Sequence, residues 1–301
     1  MTNEVVIKSF TAPDGAEIKY VDEGQGVPFL FIYGMGSSVT SQDLFIKFMR
    51  EHCRMIVFDQ RGYGFTKAQG EIGIHQSARD AKALMEYLGI DKYILMGYSM
   101  GAAVVFSYVQ QFGTGNLIKV LTGDMSPKLI NEGDWKLGLY QGHYTREMYE
   151  EDLNIIKNDY ERYALYLTEQ LLYKHNPEDP REPYNSKEEI KARIESGEHN
   201  PLIRDALYNG MVYISDEQIG CMTDYWITMA SADFREVLKK IDVPTAIIYA
   251  NPGSGYQPAT AEFMASQIPD AILCPADGCT HMLAAEKNDL YKKYITDFCG
   301  F

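Results

Sequence analysis

Short apolar runs separated by helical patterns constrain this chain more than any other feature of its sequence. PFLFIYG, RMIVFD and YILMGYS are such runs, and helical patterns occupy residues 42–51, 76–88 and the stretch that begins at Met100. Runs this apolar, without strict alternation, suit strands buried on both faces, and the helices between them supply the crossovers that parallel pairing requires. The order resumes near the C-terminus with PTAIIYA, a helix over residues 259–267, AILCP and a final helix from about residue 286. At the N-terminus VVIKSF, the turn signal Pro13-Asp14-Gly15 and AEIKYVDEG predict a hairpin, so the sheet opens antiparallel. One sheet is therefore assembled from two blocks of sequence.

Between the blocks, over residues 131–230, composition shifts towards Tyr, Met, Glu and Lys with almost no strand-like pattern. The expectation is a core of residues 1–130 and 231–301 carrying a helical cap, or lid, inserted at 131–230. The longest predicted helix there spans residues 146–173 and brings Met148, Ile155, Ile156, Tyr160, Tyr163, Leu167 and Leu171 onto one face. Pro177, Pro180 and Pro183 then break the helical pattern in a charged stretch, which predicts a loop.

Bulk properties exclude some classes of function. A length of 301 residues with 46% apolar and 23% charged residues describes a folded chain able to bury a large core. A formal charge of −14 argues against nucleic acid and anionic membrane surfaces as partners. The five cysteines, Cys53, Cys221, Cys274, Cys279 and Cys299, are odd in number and lack C-x-x-C spacing, which leaves no zinc or redox signature and fits reduced thiols in the cytoplasm. The opening MTNEVVIKSF is acidic and polar where a secretory signal needs a basic start and an apolar stretch, and no run has transmembrane length.

Gly97-Tyr98-Ser99-Met100-Gly101 follows the apolar strand YILM and opens the helix AAVVFSYVQQ. In that context G-x-S-x-G describes a cramped strand-to-helix turn that projects a serine hydroxyl, with helix N–H groups beside it to meet a developing anion. The alternative use of Ser99 is as an ordinary helix N-cap.

From this motif outward the sequence resembles the α/β-hydrolase superfamily, over nearly the whole chain outside the insertion. Tyr33-Gly34-Met35-Gly36 is similar to the family's His-Gly-x-Gly loop, with tyrosine in place of histidine. The resemblance implies an oxyanion hole made by the backbone N–H groups of Met35 and Met100, each donor worth about 3 to 4 kcal/mol in such sites. Tyr33 could instead direct its hydroxyl into the pocket. Asp59-Gln60-Arg61-Gly62-Tyr63-Gly64 resembles the family's Asp-x-Arg-Gly-x-Gly turn, read here as a structural clamp built on the Asp59 and Arg61 pair. Gly278-Cys279-Thr280-His281-Met282, after the last apolar run, fits the position of the general base in the family's order of nucleophile, acid, histidine. The fold implied is a mostly parallel eight-stranded α/β sheet flanked by helices.

The acid is displaced. After PTAIIYA, where most relatives carry an aspartate, this chain has Asn251-Pro252-Gly253-Ser254-Gly255-Tyr256-Gln257-Pro258 with no carboxylate. Some relatives supply the acid from the strand that follows the nucleophile helix. There this chain has Leu121-Thr122-Gly123-Asp124, which makes Asp124 the candidate, with a turn or capping role as its alternative.

These residues imply a serine hydrolase cleaving an ester through Ser99, His281 and Asp124, with no metal or organic cofactor. Perhydrolase or haloperoxidase-like, lactonase, thioesterase and amidase chemistry use the same groups. Trp135, Tyr140, Tyr144, Tyr163, Tyr166, Trp226 and Met229 are candidates to line a pocket for a small apolar or aromatic substrate, with packing of the insertion as their other use. A second class of function is a ligand-binding protein with a vestigial site; the distance between Asp124 and His281 separates the two. The substrate and the oligomeric state, a homodimer included, stay open.

Overall fold

The computed structural model of the protein describes residues 5–172, 186–196 and 201–301. Strands β1 (Lys8–Thr11), β2 (Glu17–Glu23), β3 (Pro28–Ile32), β4 (Arg54–Phe58), β5 (Tyr93–Tyr98), β6 (Leu117–Gly123), β7 (Thr245–Pro252) and β8 (Ala271–Cys279) form one sheet in the order β1-β2-β4-β3-β5-β6-β7-β8. Pairings of β2 with β1 and with β4 are antiparallel, and all others are parallel. The expected hairpin forms, with Gly15 closing the turn through its N–H to the Ala12 carbonyl.

Helices α1 (Asp43–Met49), α2 (Ile74–Tyr87) and α3 (Met100–Phe112) fall between the first strands. After β6 come α4 (Arg146–Asn158), α5 (Tyr160–Leu172), α6 (Lys187–Ser196), α7 (Pro201–Leu207), a π-helical turn (Tyr208–Val212), α8 (Asp216–Ala230) and α9 (Arg235–Leu238). No strand lies between β6 and β7 among the described residues. Helices α10 (Pro258–Gln267), α11 (Leu283–Glu286) and α12 (Asn288–Cys299) complete the chain.

Two apolar cores explain why the central strands lack an outward polar face. Leu30, Ile32, Ile56, Phe58 and Leu95 join a cluster with α2 and α3, whereas Phe29, Phe31, Met55, Val57, Ile94 and Met96 join a second with α1 and α12. Neighbouring residues of a strand point to opposite faces, so both sets are buried, each large side chain contributing about 1.5–3 kcal/mol.

The single helix predicted over residues 146–173 is instead two. Asp159 interrupts it at φ −154°, ψ 70°, its N–H still bonded to the Ile155 carbonyl at 2.7 Å while its carboxylate accepts the Arg162 N–H at 3.4 Å. A short carboxylate next to Asn158 competes for backbone groups and starts a second helix rather than continuing the first. The apolar face survives the break, since Ile156, Tyr163 and Leu167 are all buried in the larger core. Tyr173 and the proline-marked loop at Pro177, Pro180 and Pro183 lie outside the described residues. No helix among the described residues is long and apolar enough to cross a membrane.

Candidate active site

Ser99 occupies the turn between β5 and α3 with φ 55° and ψ −126°. This left-handed conformation is sparsely populated for a residue with a side chain and persists only where its surroundings impose it. The surroundings are two glycines. A Cβ at Gly97 would lie 2.1 Å from the Gly101 carbonyl oxygen, and one at Gly101 would lie 1.9 Å from that of Ile32. The strand, the turn and the helix approach more closely than any larger residue allows, and the Ser99 side chain is forced out of the sheet.

Imidazole and carboxylate converge on it from the far side of the sequence. His281, just past β8, has Nε2 2.9 Å from Ser99 Oγ and Nδ1 2.6 Å from Asp124 Oδ2. With Asp124 ionised, Nδ1 carries the proton and Nε2 is left to accept the serine hydroxyl. Asp124 begins where β6 ends, in the left-handed region at φ 39°. Its second oxygen accepts the Ala250 N–H at 3.0 Å, and its own N–H donates to the Ile248 carbonyl at 2.8 Å. Both side chains are almost fully buried, Asp124 at 3% and His281 at 4% exposure, so this pairing is scarcely diluted by water. The strand order puts β6 between β5 and β7, which is why a carboxylate at the end of β6 reaches a histidine that the loop after β8 carries.

The glycine-rich loop after β3 lies against Ser99. A Cβ on Gly34 would come within 3.0 Å of Ser99 Cβ, so the backbone of this loop packs directly on the serine. Met100 is the first residue of α3, whose leading amides have no partner within the helix. Tyr33 does not turn its hydroxyl to a pocket: it donates to Asp59 Oδ1 at 2.8 Å and accepts the Gln60 N–H at 3.2 Å.

The expected clamp between Asp59 and Arg61 takes other partners. Asp59 gathers Tyr33 with the N–H groups of Val39 and Phe65, at 2.8, 2.7 and 2.8 Å. Arg61 forks onto Asp80 and Asp14, with nitrogen–oxygen distances from 2.6 to 3.0 Å. The tight turn sends the side chains of Asp59 and Arg61, two positions apart, in different directions, so they clamp different parts of the fold. Burial raises the Asp59 carboxyl above its usual range, the three donors only partly offsetting it.

The pocket candidates divide. Trp135 packs edge-on against Phe263 of α10, with Arg235 over its ring and Nε1 bonded to the Lys128 carbonyl. It stands apart from the others, held between α9 and α10. Tyr140 meets Tyr144 and Tyr166 edge-on, Tyr144 meets Trp226, and Trp226 meets Tyr163, with centroids 5.4 to 6.0 Å apart. This aromatic cluster encloses Asp152, which accepts the Tyr144 hydroxyl at 2.7 Å, and Met229 is buried in α8. The loop bearing Tyr140 touches the histidine's surroundings through the Gln141 N–H, 3.1 Å from the Gly255 carbonyl.

Three residues that the sequence reading passed over touch His281. Tyr98 donates its hydroxyl to the His281 carbonyl at 2.5 Å. Ser254 accepts the His281 N–H at 2.8 Å, and the Tyr256 ring stands edge-on to the imidazole at 6.0 Å. Tyr98 lies inside the G-x-S-x-G motif; the other two occupy the turn after β7, whose sequence is distinguished only by having no carboxylate.

A family model described as alpha/beta hydrolase fold matches residues 27–287. The chain is 28% identical to a non-heme chloroperoxidase of Kitasatospora aureofaciens, over 97% of this chain and 98% of that protein. It is 25% identical to a bifunctional esterase/perhydrolase of Acinetobacter calcoaceticus, over 79% of each chain. Among solved structures, an esterase from Exiguobacterium antarcticum superposes with a TM-score of 0.79 at 20% identity, over 98% of this chain and 100% of that one.

Proposed function

We propose, from the premise that the chain belongs to the alpha/beta hydrolase fold family, that this hydrolase cleaves a carboxylic ester through an acyl-enzyme on Ser99. The observation that carries the reading is the continuous line of hydrogen bonds from Ser99 Oγ through His281 to Asp124, at 2.9 and 2.6 Å. Ser99 Oγ attacks the ester carbonyl as His281 Nε2 takes its proton, and Asp124 holds the imidazole in the productive tautomer and offsets its charge. The tetrahedral oxyanion lies toward the amides of Met35 and Met100. Collapse expels the alcohol with the proton returned by His281, and a water activated by the same imidazole releases the acid. The insertion over residues 131–230 acts as the lid, its aromatic cluster of Tyr140, Tyr144, Tyr163, Tyr166 and Trp226 favouring a small apolar or aromatic acyl or alcohol group.

A second reading draws on the relatives named as a chloroperoxidase and an esterase/perhydrolase. Hydrogen peroxide replacing water as acceptor would leave Ser99 free and produce a peracid, with no change in the residues required. A binding protein with a disabled site is disfavoured by the short bond between Asp124 and His281.

Kinetics on a p-nitrophenyl ester series, with and without hydrogen peroxide, test this. Ser99→Ala and His281→Ala abolish turnover, and Asp124→Asn lowers kcat by up to about 10⁴-fold with the fold intact by circular dichroism. Near-normal turnover by Asp124→Asn removes Asp124 from the mechanism. A wild type inert to every ester and unlabelled at Ser99 by a fluorophosphonate removes the hydrolytic reading.

A further inference from the structure

We infer that Ser254 is a positioning residue that ties the main chain of His281 to the helical insertion, so that one hydroxyl couples the placement of the base to the placement of α5. The inference rests on the reading of His281 as the base. Ser254 is completely buried in the turn after β7, where most relatives place their acid. Its Oγ accepts the His281 N–H at 2.8 Å and donates to the carbonyl of Leu171, also at 2.8 Å. Leu171 is the penultimate residue of α5, and the last carbonyls of a helix have no acceptor role to fill within it. The His281 amide is likewise buried and needs an acceptor.

Among the described residues Ser254 is the hydroxyl bonded to both groups, and the two bonds polarise one another because the same oxygen accepts one and donates the other. The turn that carries Ser254 also covers the imidazole itself. A Cβ at Gly255 would lie 3.4 Å from His281 Nδ1, and the Tyr256 ring closes the edge. Removing the hydroxyl therefore frees the amide of the base, the end of α5 and the turn between them at once. Imidazole position within a fraction of an ångström decides the bonds to Ser99 and Asp124, and displacements near 1 Å cost reactions of this kind about 100-fold.

The test compares wild type, Ser254→Ala, Ser254→Cys and Ser254→Thr in the full chain, by steady-state kinetics on p-nitrophenyl acetate and by hydrogen–deuterium exchange. Coupling predicts that Ser254→Ala lowers kcat by about 10- to 100-fold with KM changed less than about threefold. It also predicts faster deuterium uptake in both the peptide containing His281 and the peptide ending α5, with Ser254→Thr restoring most of kcat. Rates within about twofold of wild type, or uptake that rises at only one of the two peptides, overturn the inference. Should Ser254→Ala fail to fold, Ser254→Cys keeps the volume with a weaker hydrogen-bonding group and is read by the same criteria. Failure of the parent reading is separate: a wild type that neither hydrolyses the ester nor labels at Ser99 removes the catalytic role, while the paired exchange readout still decides the link.

Discussion

At the scale of single residues, side-chain hydroxyls hold the backbone of His281 on both sides of its Cα. Its N–H goes to Ser254 and its carbonyl to Tyr98, so hydroxyl side chains hold the two peptide units that flank its Cα. Burial first, and then the charge of Asp124, hold the Tyr98 phenol well above its usual range, so it stays a donor at any working pH. Tyr98→Phe keeps the ring, which packs edge-on against Tyr291, and removes only the donor. The expected result is a kcat lowered about tenfold with stability reduced by about 1 kcal/mol, since a buried carbonyl loses its partner. Steady-state kinetics and urea denaturation of the same variant check both halves. An unchanged kcat would separate the Tyr98 bond from catalysis.

At the scale of elements, the seam between α2 and α3 carries its own titrating group. His75 on α2 pairs through Nδ1 with Ser107 Oγ on α3 at 2.8 Å. Burial, reinforced by the positive charge of Arg79, lowers its affinity for a proton below that of a free imidazole. The unfolded chain therefore binds that proton first. The stability associated with neutral His75 is present above about pH 6.5 and is lost as pH falls below it through the lower folded-state value. Urea midpoints measured between about pH 5 and pH 7.5 should fall with pH in wild type, and His75→Gln should flatten the profile. Equal slopes in the two proteins would remove His75 as the titrating group. Element positions were themselves largely legible: every predicted strand and core helix formed, because the period of apolar residues is a local property. The break at Asp159 was not legible, because an Asp within an apolar periodicity reads as a solvent-facing position until its carboxylate is seen to cap the next helix.

At the scale of the whole molecule, Arg61 joins three distant parts of the fold. Its guanidinium, with no exposed side-chain surface, reaches Asp80 on α2, Asp14 in the turn of the opening hairpin and the Gln69 carbonyl. Asp80 is 1% exposed and would be left as a buried charge without it. Arg61→Met is expected to cost about 3–5 kcal/mol, measured as a drop in the urea midpoint at constant slope, because an uncompensated buried carboxylate is far more expensive than a missing apolar contact. A loss below about 1 kcal/mol would show that water or a rearranged partner takes over.

The sequence by itself determined the parallel sheet, the helical character of the stretch between β6 and β7, the serine turn and the address of the histidine. Each is written in neighbouring residues: apolar runs, two glycines around a serine, a histidine just after the last strand. The sequence named Asp124 only through a resemblance and left a turn or capping role beside it; the tertiary structure decided that this carboxylate meets the imidazole, since Asp124 and His281 stand 157 positions apart and Ser99 and His281 stand 182 apart. Strand order, which no local pattern encodes, brings those positions within a hydrogen bond. The same holds for Tyr33, turned to Asp59 rather than to a pocket, for Arg61, paired away from Asp59 two positions before it, and for Ser254, a lone serine in sequence that the fold places between His281 and the end of α5. Side-chain direction and long-range partners are settled by packing, and packing exists only once the sheet has formed.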